Sequence, residues 1–325
     1  MTSNTKCWAP LAETADNVDD AFAKGDLLWN PDFAPLTYHY EGNDRPVEFS
    51  QAIVRNDTGL ILHDGIVGSN YGMVTNSDFK NLITQLSGEI DTTLEIDSAF
   101  HLQGGARTCV LVNMPDLGDE IVEGDKVYPF LMFHNAHNGK GSIDICPSMY
   151  RPVCSNTIQL VIRQAKEAGN SWKVRHTRFA MERLVEAVKI IGNAINMWDG
   201  DIALAKQMAE IEMTSDMMTA FMDQVIPIPE KATDRVKNAR SKVRGDIIYR
   251  YENGTRNNLP GMERTLWAAV NAVTERVDHE APSHMRGEVG SRKRNENEFL
   301  HRTETGGAKL KLNAWNTARQ IVQHV

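Results

Sequence analysis

Residues 128–150 have the sequence YPFLMFHNAHNGKGSIDICPSMY, and this stretch decides the fold of the first half of the chain. Two apolar segments, 128–135 and 142–150, flank the turn sequence His137-Asn138-Gly139-Lys140. Asn-Gly is the strongest short-range signal for a β-hairpin, because a type I′ turn needs positive φ at both central residues. We therefore predict an antiparallel hairpin with Asn138 and Gly139 at the centre of its turn.

The segments on either side of this hairpin extend the pattern. Upstream, residues 47–113 contain short stretches that alternate apolar and polar residues, which is typical of strands, and one helix is predicted after Asn76. Downstream of Pro152, apolar residues recur at helical spacing to the end of the chain, starting with a helix capped by Ser155 or Asn156. A β-rich half followed by an α-rich half indicates an α+β fold, in which helices pack an antiparallel sheet and hairpin core.

The same pattern divides the chain of 325 residues into three parts. Residues 1–45 are polar and predict an N-terminal arm with at most one short helix. Residues 46–198 predict an α+β core domain, and residues 199–325 a helical C-terminal region. The apolar runs are far shorter than the ~20 residues of a membrane span. No secretory leader is recognised and the cysteines lack C-x-x-C spacing, so we expect free thiols in a reducing cytosol.

Charge is distributed unevenly along the chain. The net charge is −8, but residues 1–130 hold 7 Lys and Arg against 21 Asp and Glu, whereas residues 131–325 hold 28 against 22. A local basic face decides nucleic-acid binding, so the acidic total does not exclude it. The alternative interpretation is that the acidic and basic segments neutralise each other inside one fold.

Catalytic and metal-binding motifs are weak in this sequence. P-loop, nucleophile-elbow and H-E-x-x-H motifs are absent. His134 and His137 form an H-x-x-H pair, but their odd spacing on a strand directs the two rings to opposite faces, so we predict no metal site. Asp278-His279-Glu280 offers an acid beside a base without an evident nucleophile, and we predict neither a catalytic residue nor a cofactor.

The most informative charge pattern follows the hairpin. Residues 140–183 hold eight Lys and Arg against three acids, with aromatic residues among them. A basic groove beside a sheet, with aromatic rings available for stacking, is typical of single-stranded nucleic-acid binding. The predicted interface comprises Lys140, Tyr150, Arg151, Arg163, Lys166, Trp172, Lys173, Arg175 and Arg178, in which Tyr150 and Trp172 stack on bases and the others hold phosphates. The alternative is a solvated helix face, and the same choice applies to a second basic stretch at residues 231–256.

Several motifs resemble a known family. Residues 135–139 are NAHNG, residues 151–157 are RPVCSNT, and residues 265–274 are TLWAAVNAVT. Together they resemble the signature of an uncharacterised phage- and plasmid-borne family, the domain of unknown function nine-three-two, over residues 47–325. Ala136, Asn138 and Pro152 depart from the serine, aspartate and valine that are usual in that family.

This resemblance implies a phage or mobile element in the bacterial cytoplasm, and it implies no settled activity. A looser similarity links the hairpin sheet and the helix after it to Rad-type single-strand annealing proteins, which form rings and hold single-stranded DNA in a basic groove without ATP. We therefore expect a homo-oligomeric, non-enzymatic protein that binds and anneals single-stranded DNA in recombination, with no cofactor and no membrane association.

Two other functions stay open at this point. The first is an acidic protein-binding module that inhibits a host defence enzyme, with residues 16–26 and 116–125 mimicking DNA. The second is an enzyme that uses His137 or His279. Salt dependence separates the DNA binder from the DNA mimic, because only the DNA binder releases counterions from a nucleic acid.

Overall fold

A computed structural model describes residues 6, 8–89, 92–151, 156–158, 173–254, 259–280, 282 and 285–324. For residues 89, 146, 147, 156–158 and 185–197 it describes the backbone but not the side chains. The described strands are β1 (Pro31–Tyr40), β2 (Asn43–Arg55), β3 (Ile61–Gly68), β4 (Glu95–Leu102), β5 (Arg107–Asn113), β6 (Asp119–Glu120), β7 (Lys126–Ala136), β8 (Ile143–Arg151), β9 (Asn156–Ile158) and β10 (Lys173–Val174). The described helices are α1 (Val18–Lys24), α2 (Asn76–Glu89), α3 (Ala180–Glu210), α4 (Ser215–Val225), α5 (Asp234–Asn253), α6 (Leu266–His279), α7 (Arg292–Thr303) and α8 (Gly306–His324). Antiparallel sheets in the first half and helices in the second confirm the predicted α+β class.

The larger sheet lies at the centre of the fold, with the strand order β10-β8-β7-β5-β4. Its neighbouring strands pair antiparallel. One face packs on the main hydrophobic core, and the other packs on a smaller cluster around Trp8, Phe100 and Phe299. Every residue from Phe130 to Ala136 is buried, which explains why β7 is almost continuously apolar in sequence.

The hairpin of β7 and β8 is confirmed, but its turn is wider than the predicted two-residue type I′ turn. Asn135 pairs with Ile143, so residues 137–142 form the connection. Gly139 has φ of 69°, whereas Asn138 does not adopt positive φ. Asn138 Nδ2 donates a hydrogen bond to the His63 carbonyl over 3.3 Å, and contacts of this kind with distant segments override the local turn preference.

The smaller sheet contains β1, β2 and β3 in that order. The predicted polar arm with at most one short helix is therefore wrong for residues 31–40, which form β1. Pro31 and Pro35 suggested a coil, but β1 pairs only with β2 among the described strands, and an edge strand tolerates proline because half of its N–H groups need no partner.

The helices of the second half share one core with the sheet. The main hydrophobic cluster includes Phe22 of α1, Val110 of β5, Trp267 of α6 and Trp315 of α8. The predicted domain boundary after residue 198 falls inside α3, which is a continuous helix of 31 residues.

Three further differences from the sequence predictions concern single elements. Residues 156–158 form β9, which pairs with β8, rather than the start of a helix. Apolar residues at helical spacing predict a second helix from about residue 172, whereas α3 begins at Ala180. Helix α7 was not predicted because it is highly polar, yet the Ser291 side chain caps it and the i,i+4 pairs of Arg294 and Arg302 with Glu298 support it.

Two other observations concern cysteines and membranes. Cys109 is a buried free thiol, while the thiols of the other three cysteines fall outside the description. None of the helices described is long and apolar enough to cross a membrane.

Candidate nucleic-acid interface

The hairpin tip and β10 bring several predicted basic residues to one edge of the larger sheet. Lys173 pairs with Asp144 and Val174 with Ile143 in antiparallel register. Continuing this register by one residue places Arg175 beside the 137–142 connection, which carries Lys140. The sheet thus joins segments that are more than thirty residues apart in sequence.

Solvent exposure identifies the side chains that face outward at this edge. The side chains of Lys140 and Lys173 are 63% and 52% exposed, and Arg175 and Arg178 are exposed as well. The Arg178 guanidinium lies 4.7 Å from the ring centroid of Phe179, an aromatic side chain that is itself 44% exposed. We call Lys140, Lys173, Arg175, Arg178 and Phe179 the basic edge.

Two acids partly neutralise the basic edge. Lys140 Nζ lies 2.8 Å from Asp64 Oδ2, and Lys173 Nζ lies 3.7 Å from Asp144 Oδ1. Ion pairs this exposed contribute about 0–1 kcal/mol, so a phosphate can replace either acid at little cost. Arg175 and Arg178 have no acidic partner among the described residues, which makes them the most available cations of this edge.

Buried side chains fix the backbone beneath the basic edge. The Tyr71 ring stacks on the His176 ring with centroids 4.9 Å apart. His176 Nδ1 donates to the Gly72 carbonyl over 3.1 Å, and the Gly72 N–H donates to the His176 carbonyl over 3.3 Å. A Cβ atom at Gly72 would lie 1.9 Å from the Thr177 carbonyl oxygen, so only glycine allows the two segments to come this close.

A second set of buried polar groups holds the start of the 137–142 connection. His137 Nε2 donates to Asn76 Oδ1 over 3.0 Å, because Asn76 uses its amide N–H to bond the Trp29 carbonyl. Asn135 Nδ2 donates to the Val74 carbonyl over 3.1 Å. The residues that carry the basic edge are therefore tied to the N-terminal end of α2 by hydrogen bonds in a dry environment.

These two histidines are neutral at physiological pH. Burial, followed by the charges of His176 and His134, lowers the pKa of His137 to about 3. Burial also lowers the pKa of His176 to about 4, although its hydrogen bond to Gly72 acts in the opposite direction. Each ring consequently serves as a fixed hydrogen-bonding group rather than as a charge for holding phosphate.

The H-x-x-H pair is split between the two faces of the sheet. His134 lies near Asp144 and Glu304, with nitrogen–oxygen distances of 3.9 and 3.7 Å, whereas His137 contacts Asn76 on the other face. The described part of the chain contains no group of three or more His, Cys, Asp or Glu arranged to hold a metal ion.

The sequence predicts Tyr150 and Arg151 in the interface, but the structure buries both side chains. Tyr150 is 8% exposed and lies 5.8 Å from the Trp8 ring. Arg151 is fully buried and forms an ion pair with Asp125, whose other oxygen accepts a hydrogen bond from Trp267 Nε1. The sequence showed the charge of Arg151 but not the acid and the helix that cover it, which come from distant parts of the chain.

The remaining predicted residues have different outcomes. Arg163, Lys166 and Trp172 lie outside the described residues and stay predictions. Phe179 was not predicted, although its position next to Arg178 is a local signal for a stacking pair. Asp64 and Asp144 were also missed, since only the register of the sheet and the turn contacts show that they face Lys140 and Lys173.

The fold and this edge define a class: an α+β protein in which a basic, hairpin-borne edge is supported by a buried polar network. Comparison with known families then gives the membership. Residues 63–306 match the family model described as Domain of unknown function (DUF932), and the chain belongs to that family. Neither the curated proteins nor the solved structures contain a match to this chain.

Proposed function

We propose that this protein binds single-stranded DNA at the basic edge and anneals complementary strands without ATP, as a homo-oligomer encoded by a phage or plasmid. The observation that carries the proposal is the pair of exposed arginines, Arg175 and Arg178, on either side of the buried anchor His176 and next to the exposed Phe179 ring. Cations on a rigid support neutralise phosphates, and a sequence-tolerant ring stacks on bases.

Annealing needs no chemical catalyst in this proposal. A basic surface lowers the repulsion between two phosphate backbones and leaves base edges free to pair. Of the two histidines in the catalytic alternative, His137 donates to Asn76, and Asp278, the acid beside His279, forms a buried ion pair with Lys311 over 2.8 Å. These contacts favour a binding role over a catalytic one.

The acidic alternative receives less support from the contacts. Five of the nine acids in the two segments that would mimic DNA, Asp19, Asp20, Asp26, Asp119 and Asp125, form ion pairs with lysine or arginine of the same chain. Acids that are already paired offer a weaker surface to a basic partner. We therefore place DNA binding first and keep the capture of a basic protein as the outcome that would replace it.

The experiment is a titration of a fluorescent single-stranded oligonucleotide with the wild-type protein and with the double variant Arg175→Ala/Arg178→Ala. The matched control is Arg286→Ala/Lys293→Ala, which removes two exposed cations outside the basic edge. We expect the first variant to weaken binding at least tenfold and the control to leave it nearly unchanged. Loss of two phosphate contacts should also reduce the log–log salt slope by about 1.4, since each contact on a single strand contributes roughly 0.7.

Annealing is measured separately, by the rate at which two complementary labelled strands pair without nucleotide. The wild type should accelerate pairing and the Arg175→Ala/Arg178→Ala variant should not. An absence of binding at low salt, or equal losses in variant and control, contradicts the proposal and moves the acidic, partner-capturing function to first place.

A further inference from the structure

The β1–β2 hairpin extends well beyond the sheet that anchors it. β3 pairs with β2 only between Ser50 and Val54, whereas the β1–β2 pairing, after a register shift between Pro35 and Thr37, resumes and extends outward to Tyr40 and Asn43. Residues 36–49 thus form a two-stranded extension, which we call the projecting hairpin. At about 3.3 Å per residue it reaches roughly 20 Å past the end of β3.

The projecting hairpin has no support from the rest of the described chain. All residues from 37 to 46 are exposed, and their side-chain bonds, such as His39 to Asp44 and Arg45 over the Tyr40 ring, stay within the hairpin. It also exposes large side chains: Tyr38 is 48%, Tyr40 52% and Phe49 77% exposed. An isolated two-stranded hairpin is marginally stable in water at best, so a surface of this kind indicates a binding partner.

The charge of the projecting hairpin selects the kind of partner. Residues 36–49 contain Glu41, Asp44 and Glu48 against the single cation Arg45. An acidic hairpin with exposed tyrosines repels nucleic acid and is suited to a basic protein surface with some apolar area.

Such a surface exists on this same chain, in the segment that leads into α5 and in its first half. Residues 231–242 hold five cations, Lys231, Arg235, Lys237, Arg240 and Lys242, against the single acid Asp234. Of the twenty residues of α5, Ile247 alone is buried, and Val236 is 39% exposed. No ion pair joins Lys231, Arg235, Lys237 or Lys242 to another described residue. This half of α5 is therefore an unneutralised basic segment, in which Arg235 and Lys242, two turns apart, share one side of the helix and Val236 lies next to it.

We propose that the projecting hairpin of one copy docks on the basic first half of α5 in a second copy of this chain. The two surfaces differ, so the contact is head-to-tail, and a bound pair of copies still offers one free hairpin and one free helix. Contacts of that type close into a ring or continue as a filament. The assembly does not depend on DNA, so a failure of DNA binding and a failure of this contact are separate results.

The test uses the full-length chain without DNA and measures the molar mass by light scattering after size-exclusion chromatography. The hairpin variant is Glu41→Lys/Asp44→Lys/Glu48→Lys, and the helix variant is Arg235→Glu/Lys237→Glu/Lys242→Glu. The matched control is Glu120→Lys/Glu123→Lys/Glu210→Lys, which reverses three exposed acids elsewhere. Every substituted side chain lies outside the buried core, and circular dichroism checks that each variant is folded.

We expect the wild type and the control to form oligomers at micromolar concentration. Each charge-reversed variant alone should elute as a monomer of about 36.4 kDa, because its hairpin and helix then carry the same sign. Mixing the two variants one to one should restore the oligomer, since each hairpin again faces a helix of opposite charge.

Three results would overturn the proposal. The first is a wild-type protein that stays monomeric even at a concentration 100-fold above the micromolar range. The second is a variant that assembles like the wild type, which would assign the contact to another surface. The third is a mixture that fails to reassemble. If the helix variant also lost oligonucleotide binding while the hairpin variant kept both assembly and binding, α5 would be a DNA surface and not the docking site.

Discussion

At the scale of single residues, the sequence and the contacts give Arg151 different roles. A cation at the end of a predicted strand suggested a phosphate contact, but Arg151 and Asp125 form an ion pair with neither side chain exposed. Trp267 Nε1 donates to the same carboxylate over 2.8 Å. A buried charge needs this kind of partner, because desolvation costs several kcal/mol per ion.

The pairing predicts a large and specific effect on stability. Arg151→Ala leaves the Asp125 carboxylate buried without its cation, so we expect the free energy of unfolding to fall by about 3–5 kcal/mol. Lys206→Ala breaks the exposed pair with Asp119 and should cost less than about 1 kcal/mol. Urea unfolding followed by circular dichroism measures both. A loss for Arg151→Ala no larger than that for Lys206→Ala would show that the buried pair has no structural role.

The buried histidines predict how stability depends on pH. His137 has a pKa of about 3 and His176 of about 4 in the folded chain, below the ordinary value of about 6.5. The unfolded chain therefore binds protons first as the pH falls. The stabilisation is complete above about pH 6.5 and is lost progressively as the pH falls, to about pH 4 for His176 and about pH 3 for His137.

Between pH 7 and pH 5 each histidine should lower the free energy of unfolding by about 2 kcal/mol. His137→Gln keeps an amide N–H to face Asn76 but removes the titration, so this variant should lose less stability over the same interval than the wild type. Urea titrations at pH 7, 6 and 5 provide the comparison. Equal pH slopes for the two proteins would refute the assignment.

At the scale of elements, the local signals located the β7–β8 hairpin, the β-before-α order and helices such as α5. They failed where distant contacts decide. The turn at Asn138 and Gly139 is widened by the bond from Asn138 to His63, β1 forms in a stretch that proline made look irregular, and β9 continues the sheet beside β8. The predicted interface also combines a local signal with distant contacts. Its cations are visible in the sequence, whereas the burial of Arg151 depends in part on residues over a hundred positions away.

A substitution at Gly72 tests whether the close contact between residues 71–72 and 176–177 holds the basic edge in place. A Cβ atom there would meet the Thr177 carbonyl, so Gly72→Ala should separate the segment after β3, which contains Tyr71 and Gly72, from the segment that bears Arg175 and Arg178. We expect a loss of about 1–3 kcal/mol in stability together with weaker oligonucleotide binding.

Gly88→Ala is the matched control, because its Cβ atom meets nothing within 4 Å in α2. This variant should be neutral or stabilise the protein by about 0.5–1 kcal/mol. Thermal unfolding ranks the two variants. The account of the joint is wrong if Gly72→Ala is as stable as the wild type and binds as tightly.

At the scale of the whole molecule, part of the charge asymmetry is neutralised internally. The pairs Asp64–Lys140, Asp119–Lys206 and Asp125–Arg151 each join an acid of the first 130 residues to a cation of the remainder. The alternative interpretation of the charge pattern is thus confirmed for these residues. Among the cations that form no ion pair in the described residues, Arg175 and Arg178 lie on the basic edge and Arg235, Lys237 and Lys242 on α5, and the two proposals assign these surfaces to DNA and to a second copy.

A ligand that binds only the folded chain raises the free energy of unfolding of that chain. We expect a single-stranded oligonucleotide at 100 times its Kd to raise the free energy of unfolding by about 2.7 kcal/mol. A polycation such as polylysine should give a smaller shift, because five of the nine acids in residues 16–26 and 116–125 already form ion pairs within the chain. The reverse ranking in a thermal-shift experiment would favour the acidic module.

The most direct test of the central claim is to map where DNA lies on the chain. Single-stranded DNA that contains 5-iodouracil would be cross-linked by light and the modified peptides identified by mass spectrometry. The account predicts cross-links in the peptides around Phe179 and in the 137–142 connection, and their loss in the Arg175→Ala/Arg178→Ala variant. Cross-links confined to α5 or to the projecting hairpin, or none under conditions where the oligonucleotide binds, would contradict the assignment of DNA to the basic edge.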